Sequence, residues 1–117
     1  MSWDADFDGH SWNYTHNTNR MIAAALKDHA GADVPPCGGS LGDIIGPAWW
    51  YKLQGLDADE GRNYLSLIIE SLESDPMKYR AMNPENGWGS YDSLLETLRE
   101  MRDASVVHHD PKWSVSG

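Results

Sequence analysis

The chain has 117 residues and a formal net charge of −9, from 9 basic and 18 acidic side chains. A chain of this length forms one ordinary domain that buries roughly two-thirds of its unfolded surface, so we expect a single domain over residues 1–117. Its acidic surface repels phosphate groups, which disfavours nucleic acids and anionic membranes as partners. Six Trp and five Tyr accompany one Phe, and rings that carry a polar group suit half-buried positions.

The cysteine content and the lengths of the apolar runs indicate the cellular compartment of the protein. Cys37 is the only cysteine, so it cannot form an internal disulfide. The first residues lack the charged, apolar and small-residue series of a signal peptide, and no apolar run is long enough to span a bilayer. We therefore expect a cytoplasmic protein.

Residues 1–10 show no helical period, and acids alternate there with Trp3, Phe7 and Gly9. Two interpretations stay open for this segment: a flexible acidic arm and an edge strand.

The same residues match the first half of a calcium-binding loop, because Gly9 follows acids at alternating positions. These acids are Asp4, Asp6 and Asp8. The second half of the motif fails, since its last position falls on Thr15, which cannot supply a bidentate carboxylate, and no entering helix precedes the loop. We favour a solvated acidic arm over a metal site.

Two long helices are predicted from apolar residues at helical spacing. The first follows a capping box formed by Asp57 and Glu60 and ends at Asp75-Pro76. Its apolar stripe is Tyr64, Leu65, Ile68, Ile69 and Leu72. The second follows Ser90 as the cap and runs to about His108.

Several shorter helical segments are also predicted. The first covers residues 20–31, where capping residues precede the helix and Gly31 suits its left-handed end. Ser40 can cap a turn that runs through Ile45, and Pro47 suits the first position of a short helix that ends before Gly55. A further turn follows Pro76.

Two segments near the chain ends alternate like short strands. Trp113 and Val115 alternate with polar residues, as do Trp12 and Tyr14. Because a lone strand needs a partner, we predict that residues 11–15 and 112–116 pair. The expected fold is therefore mainly α: a compact bundle of two long and several short helices, with a two-stranded antiparallel ribbon from the chain ends.

Two polar-aromatic segments stand out, residues 12–19 and residues 83–91, and we call them the first and second polar segments. One interpretation makes them turns and helix caps, since Asn and Gly suit such positions. In the other, the two segments converge into a polar pocket with an aromatic wall that holds a sugar or a nucleotide. The pocket residues would be Asn13, His16, Asn17, Asn86, Trp88 and Tyr91.

Other chemistry-bearing residues form no recognisable constellation. Cys37 lies between Pro36 and Gly38, in a loop where a nucleophile could be exposed, but no catalytic motif flanks it. No two histidines have the spacing that places both on one face of a helix, as a zinc site requires. The adjacent pair lies at the predicted end of the last helix, where we expect the helix dipole to favour partly charged imidazoles. The histidines are His10, His16, His29, His108 and His109. No catalytic residue, metal or cofactor is indicated.

The order of these motifs resembles one family. The motifs are Asn13-Tyr14-Thr15-His16-Asn17, a Leu-rich helix that ends at Asp75-Pro76, Asn86-Gly87-Trp88-Gly89 and a C-terminal strand. They are similar to small uncharacterised proteins of actinobacterial phages and their hosts. The resemblance implies a phage-related protein in the host cytoplasm, and it brings no activity with it.

The sequence favours a non-enzymatic accessory protein that binds a host or phage protein through an acidic, aromatic-rich surface. Trp49, Trp50 and Tyr51 are the first contact candidates, because three adjacent rings cannot all face one core. Two alternatives stay open: a small-ligand-binding protein or simple enzyme that uses the pocket described above, and an acidic mimic of DNA.

Overall fold

A computed structural model describes residues 2–35, 46–107 and 111–116, which form a three-stranded antiparallel sheet packed on helices. The strands are β1 (Ser2–Phe7), β2 (His10–Thr15) and β3 (Ser114–Ser116). The α-helices are α1 (Asn19–Ala30), α2 (Ala58–Glu73), α3 (Pro76–Arg80) and α4 (Tyr91–Val107). Two short 3-10 helices cover His16–Thr18 and Trp49–Leu53. None of the described helices combines the length and the apolar character needed to cross a membrane.

The mainly α fold class with a two-stranded ribbon is wrong, because the sheet has three strands and the fold is α+β. β1 is the central strand, with β2 and β3 on its two sides. Asp4 lies opposite Asn13 on one side and opposite Ser116 on the other. The two predicted end strands therefore do not pair with each other, since the chain start lies between them.

The chain start forms a hairpin rather than a flexible acidic arm. Asp8 and Gly9 join β1 to β2 with φ values of 49° and 81°, and two left-handed residues are what a type I′ hairpin turn requires. Along β1 the side chains alternate between the core and solvent: the buried ones are Trp3, Ala5 and Phe7, while Asp4 and Asp6 are exposed. The burial of three alternate apolar residues fixes this segment in the sheet.

In this hairpin the weak calcium candidates Asp4, Asp6 and Asp8 lie on a strand and in a turn, and do not have the arrangement of a calcium-binding loop. Asp4 and Asp6 project from one face of an extended strand, about 7 Å apart along it, and Asp8 lies in the turn. Among the residues that the structure describes, no three His, Cys, Asp or Glu side chains are grouped to hold a metal ion.

The helices agree with the predictions from periodicity and caps. The carboxylate of Asp57 accepts the backbone N–H of Glu60 at 2.8 Å and so caps α2. Gly31 ends α1 in the left-handed conformation, with φ of 63°, and the hydroxyl of Ser90 accepts the N–H of Ser93 at 3.2 Å before α4. The predicted turn from Ser40 to Ile45 lies outside the described residues.

Aromatic rings fill the space between the sheet and the helices. Phe7 stacks on Trp113 with ring centroids 4.8 Å apart, and Trp3 meets Trp49 edge-on at 5.0 Å. Trp113 also packs across α2, because a Cβ at Gly61 would lie 2.3 Å from its indole nitrogen. The indole of Trp113, next to β3, therefore packs directly on Gly61 and connects the sheet to α2.

This contact makes Gly61→Ala a test of the packing. Alanine is favoured over glycine inside a helix by about 1 kcal/mol, but overpacking of a core costs about 1 to 3 kcal/mol. We expect Gly61→Ala to lower the free energy of unfolding in chemical denaturation. Asn63→Ala on the exposed side of α2 is the matched control and should not lower it. A more stable Gly61→Ala variant would contradict the contact with Trp113.

Acid should destabilise the protein partly through Asp57. The backbone N–H of Glu60 holds the pKa of the Asp57 carboxyl below its usual 3.8. A lowered folded-state pKa gives stability that is present above the unfolded pKa and lost as the pH falls through the folded one. Asp57→Asn keeps the capping oxygen but cannot titrate, so its melting temperature should fall less steeply below about pH 4. Asp57→Ala should be less stable at every pH, and equal acid sensitivity of wild type and Asp57→Asn would contradict this role.

Candidate binding cleft

An open cleft of about 680 Å³ lies where the two polar segments meet. Its walls come from the β1–β2 hairpin, the 3-10 helix after β2, the loop before α4 and the first turn of α4. The lining residues are Ser2, Asn13, Tyr14, Thr15, Asn17, Asn86, Trp88, Gly89 and Ser93. This volume is within the range of about 300 to 1,000 Å³ that is typical of ligand sites.

The hydroxyl of Tyr14 joins the two walls. It accepts the backbone N–H of Ser90 at 3.0 Å, lies 3.2 Å from the carbonyl of Ser90 and is hydrogen-bonded to the hydroxyl of Ser93. The start of α4 is thereby fastened to β2. Nearby, the side-chain amide of Asn17 donates to the carbonyl of Trp88 at 3.4 Å.

Gly89 allows the loop to approach the sheet closely. Its φ is 89°, and a Cβ at this position would lie 2.6 Å from the methyl group of Thr15 and 3.2 Å from that of Thr18. Both the conformation and the space therefore require glycine. Because Gly89 has no side chain, the loop can pack against Thr15 and Thr18 and close this end of the cleft.

Two asparagines hold the loop itself. The Oδ1 atom of Asn86 accepts the N–H of Trp88 at 3.0 Å, and Oδ1 of Asn83 accepts the N–H of Tyr91 at 2.8 Å. The indole of Trp88 is nevertheless 70% exposed. The loop thus presents a large aromatic side chain to solvent on a hydrogen-bonded backbone.

Four of the six predicted pocket residues line the cleft: Asn13, Asn17, Asn86 and Trp88. The other two, His16 and Tyr91, are buried elsewhere. The Nδ1 atom of His16 is hydrogen-bonded to the side-chain amide of Asn19 at 2.8 Å, and the ring lies 4.7 Å from Trp50.

The hydroxyl of Tyr91 donates to the carbonyl of Leu72 at 2.9 Å. Burial raises the pKa of this phenol. We therefore assign Tyr91 to the contact between α4 and α2, and His16 to a buried contact with Asn19 and Trp50.

The prediction of a protein contact at Trp49 and Trp50 is wrong. These rings are 1% and 0% exposed, whereas Tyr51 is 51% exposed. The indole N–H of Trp49 donates to the side chain of Asn19 at 3.0 Å. In this 3-10 helix the two Trp residues face the core, which leaves Tyr51 as the exposed ring of the three.

Sequence reasoning missed several residues of the cleft. The sequence places Tyr14 and Thr15 in a predicted strand and Gly89 in a polar segment typical of a turn, and it gives none of the three a role in the pocket. A Gly-x-Gly pair before a helix cap is a signal for close backbone approach, but only the structure shows that Thr15 is the group approached. Ser2 and Ser93 carried no signal.

The cleft offers hydrogen bonds and an aromatic surface rather than acid–base chemistry. Its described lining residues supply amides, hydroxyls, one indole and glycine, and none of these described residues carries a carboxylate, imidazole, amine or thiol. Asn13 donates its amide hydrogens to Ser2 and Asp4, both at 2.8 Å, so its Oδ1 atom is left as an acceptor. Asn86 uses its Oδ1 atom within the loop and keeps its amide hydrogens as donors.

Three residues considered for chemistry lie outside the described part of the chain. They are Cys37, His108 and His109.

Comparison with models of protein families, with curated proteins and with solved structures gives no match to this chain. The resemblance to phage proteins therefore stays a prediction, and we infer the function from the cleft.

Two glycines of the loop allow strain and packing to be separated. Gly87 and Gly89 both have a left-handed φ, 76° and 89°, but a Cβ at Gly87 would meet nothing within 4 Å. Gly87→Ala should therefore cost only the backbone strain, about 1 kcal/mol, whereas Gly89→Ala should cost about 1 to 3 kcal/mol more. Differential scanning calorimetry would measure both.

A third variant provides the control for this comparison. Adding Thr15→Ser to Gly89→Ala removes the methyl group at 2.6 Å and should recover part of the loss. Equal destabilisation by Gly87→Ala and Gly89→Ala would contradict the close approach.

Proposed function

We propose that the protein is a non-enzymatic binding protein that holds a segment of another protein in the cleft, with Trp88 as the anchor. The observation that carries this proposal is the 70% exposure of Trp88 on a loop whose backbone is fixed by Asn86 and Asn17. Tryptophan is among the residues that dominate binding energy at protein interfaces. A pre-formed loop also reduces the entropy that binding costs.

The lining supports binding rather than turnover. Among the described lining residues, Tyr14 is the one with an ionisable side chain, and its hydroxyl is engaged by Ser90 and Ser93. General acid–base or nucleophilic catalysis needs a side chain placed to exchange protons with the substrate. The cleft residues are suited to contacts with neutral polar groups instead.

Net charge indicates the kind of partner. A charge of −9 favours association with basic protein surfaces and disfavours phosphate-bearing partners such as nucleic acids and anionic membranes. In the setting that the resemblance implies, the partner is a host or phage protein met in the host cytoplasm. We propose an accessory role of this kind.

A sugar is the second candidate ligand, favoured by the amides beside Trp88. The free Oδ1 atom of Asn13 and the amide hydrogens of Asn86 offer an acceptor and a donor to hydroxyl groups. A nucleotide fits less well, since none of the lining residues that the structure describes carries a cationic side chain.

Replacement of Trp88 tests the main proposal. Truncation of a central Trp anchor costs about 2 kcal/mol or more, roughly thirtyfold in Kd. We expect Trp88→Ala to lose the partner recovered by the tagged wild-type protein from an actinobacterial host lysate, with little change in melting temperature. The Kd for the purified partner should rise by the same factor in calorimetric titration.

Met77→Ala removes another exposed apolar side chain outside the cleft and is the matched control. Equal binding by wild type and Trp88→Ala would contradict the proposal. The sugar alternative can be tested on a glycan array. If wild type binds a glycan there and Trp88→Ala binds it equally well, the sugar does not lie beside Trp88, which contradicts that alternative as well.

A further inference from the structure

The outer edge of β2 carries backbone groups that no other strand uses. β2 is at one side of the sheet, and Phe7 pairs with His10 across the two-residue turn. This closing pair is hydrogen-bonded in such hairpins, so alternate residues of β2 bond to β1, and the N–H and C=O groups of Ser11 and Asn13 point away from it. Within the described ranges these groups have no hydrogen-bond partner.

The opposite edge of the sheet is closed by contrast. The N–H of Val115 in β3 donates to the side chain of Gln54 at 2.7 Å. Trp113, just before β3, exchanges backbone hydrogen bonds with Gly55 and Leu56 at 2.8 and 2.9 Å. The described structure therefore covers the edge at β3 and leaves the edge at β2 open.

The cleft borders the second half of this open edge, at residues 13–15, and Ser11 lies further along the same edge outside the cleft lining. Asn13 and Thr15 project from the solvent face of β2, and Tyr14 projects from the opposite face, yet all three line the cleft. A space that touches both faces of an edge strand runs beside its backbone. Across it lie Trp88 and Ser93, so an added chain would have β2 on one side and an exposed indole on the other.

We propose that the occupant of the cleft is an extended, basic segment of the partner, which adds to β2 as a fourth strand. This inference rests on the binding function proposed above and names the form of its ligand. Edge strands commonly bind peptides in this way, with main-chain hydrogen bonds that supply affinity and side-chain contacts that supply specificity. Here Ser11 and Asn13 supply the main-chain groups, and Trp88 covers one side chain of the segment.

The exposed acids of β1 select basic side chains. Asp6 and Asp4 lie opposite Ser11 and Asn13 on the solvent face of the sheet. Each already accepts one hydrogen bond from its neighbour, Asp6 from Ser11 at 2.5 Å and Asp4 from Asn13 at 2.8 Å. A fourth strand would lie about 10 Å from β1, and the long stems of Lys or Arg can pass over short side chains to reach a carboxylate.

A second copy of this chain is a poorer occupant than a basic segment. Pairing of two β2 edges would place both sets of acids on one continuous sheet face, between two molecules that each carry a charge of −9. Like charges brought together in this way oppose association. The charge therefore favours a different, basic chain.

Proline at Ser11 separates the strand edge from the rest of the cleft. It removes an outward N–H without breaking a bond to β1, and proline is tolerated on edge strands at such positions. Ser11→Ala removes the hydroxyl but keeps the N–H and is the matched control. The probe is a capped eight-residue peptide in which Lys and Val alternate, and a peptide with Glu in place of Lys is its charge control.

We expect the Lys peptide to bind wild type and Ser11→Ala alike, and to bind Ser11→Pro at least about tenfold more weakly. The Glu peptide should bind wild type at least about tenfold more weakly than the Lys peptide at low salt. In wild type, the Lys peptide should slow hydrogen exchange at the amides of Ser11 and Asn13. This last measurement decides the question even if Ser11→Pro fails to fold.

The possible failures can be told apart. Equal binding by Ser11→Pro and Ser11→Ala, or unchanged exchange at Ser11 and Asn13 with bound peptide, overturns strand addition while a loss in Trp88→Ala still supports binding in the cleft. If Trp88→Ala also binds like wild type, the proposed function fails as well. No preference for the Lys peptide, or self-association that Ser11→Pro abolishes, overturns the basic segment as the occupant.

Discussion

The cleft depends on the hydroxyl of Tyr14, which fastens the start of α4 to strand β2. It accepts the N–H of Ser90 from 76 residues further along the chain, and Gly89 fits against Thr15 beside it. Because both contacts join distant parts of the sequence, the cleft forms only when the sheet and α4 are both in place. Its walls therefore share the stability of the fold, and the site is organised before a ligand arrives.

Sequence periodicity and capping were sufficient for the helices but not for the sheet. The capping box at Asp57 and the apolar stripe behind it are local signals, and α2 begins where they place it. β1 also carried a local signal, the Asp8-Gly9 turn between alternating segments, but its acids also match a solvated arm. β3 pairs with β1 rather than with β2. This pairing joins distant parts of the chain, and the burial of Trp3 and Phe7 decides it rather than a local sequence signal.

The candidate site was only partly predictable, because the same residue types serve cores and pockets. Asn86 and Trp88 lie in the cleft, whereas Tyr91, from the same segment, directs its hydroxyl to a carbonyl of α2. A ring with one polar atom can be buried whenever that atom finds a partner. Trp49 is a second case, since Asn19 accepts its N–H inside the core. Sequence alone does not show which partners exist, so it cannot separate the two uses.

An open strand edge exposes a protein to pairing with its own copies, and the acidic charge bears directly on this hazard. In the sequence, a charge of −9 only argues against phosphate-bearing ligands. In the structure, Asp4 and Asp6 lie on the exposed face next to the open edge of β2, while Gln54 covers the edge at β3. Two such acidic faces repel each other, but a basic strand is attracted to the same place. The features that keep the edge from pairing with itself are therefore those that would select the partner we propose.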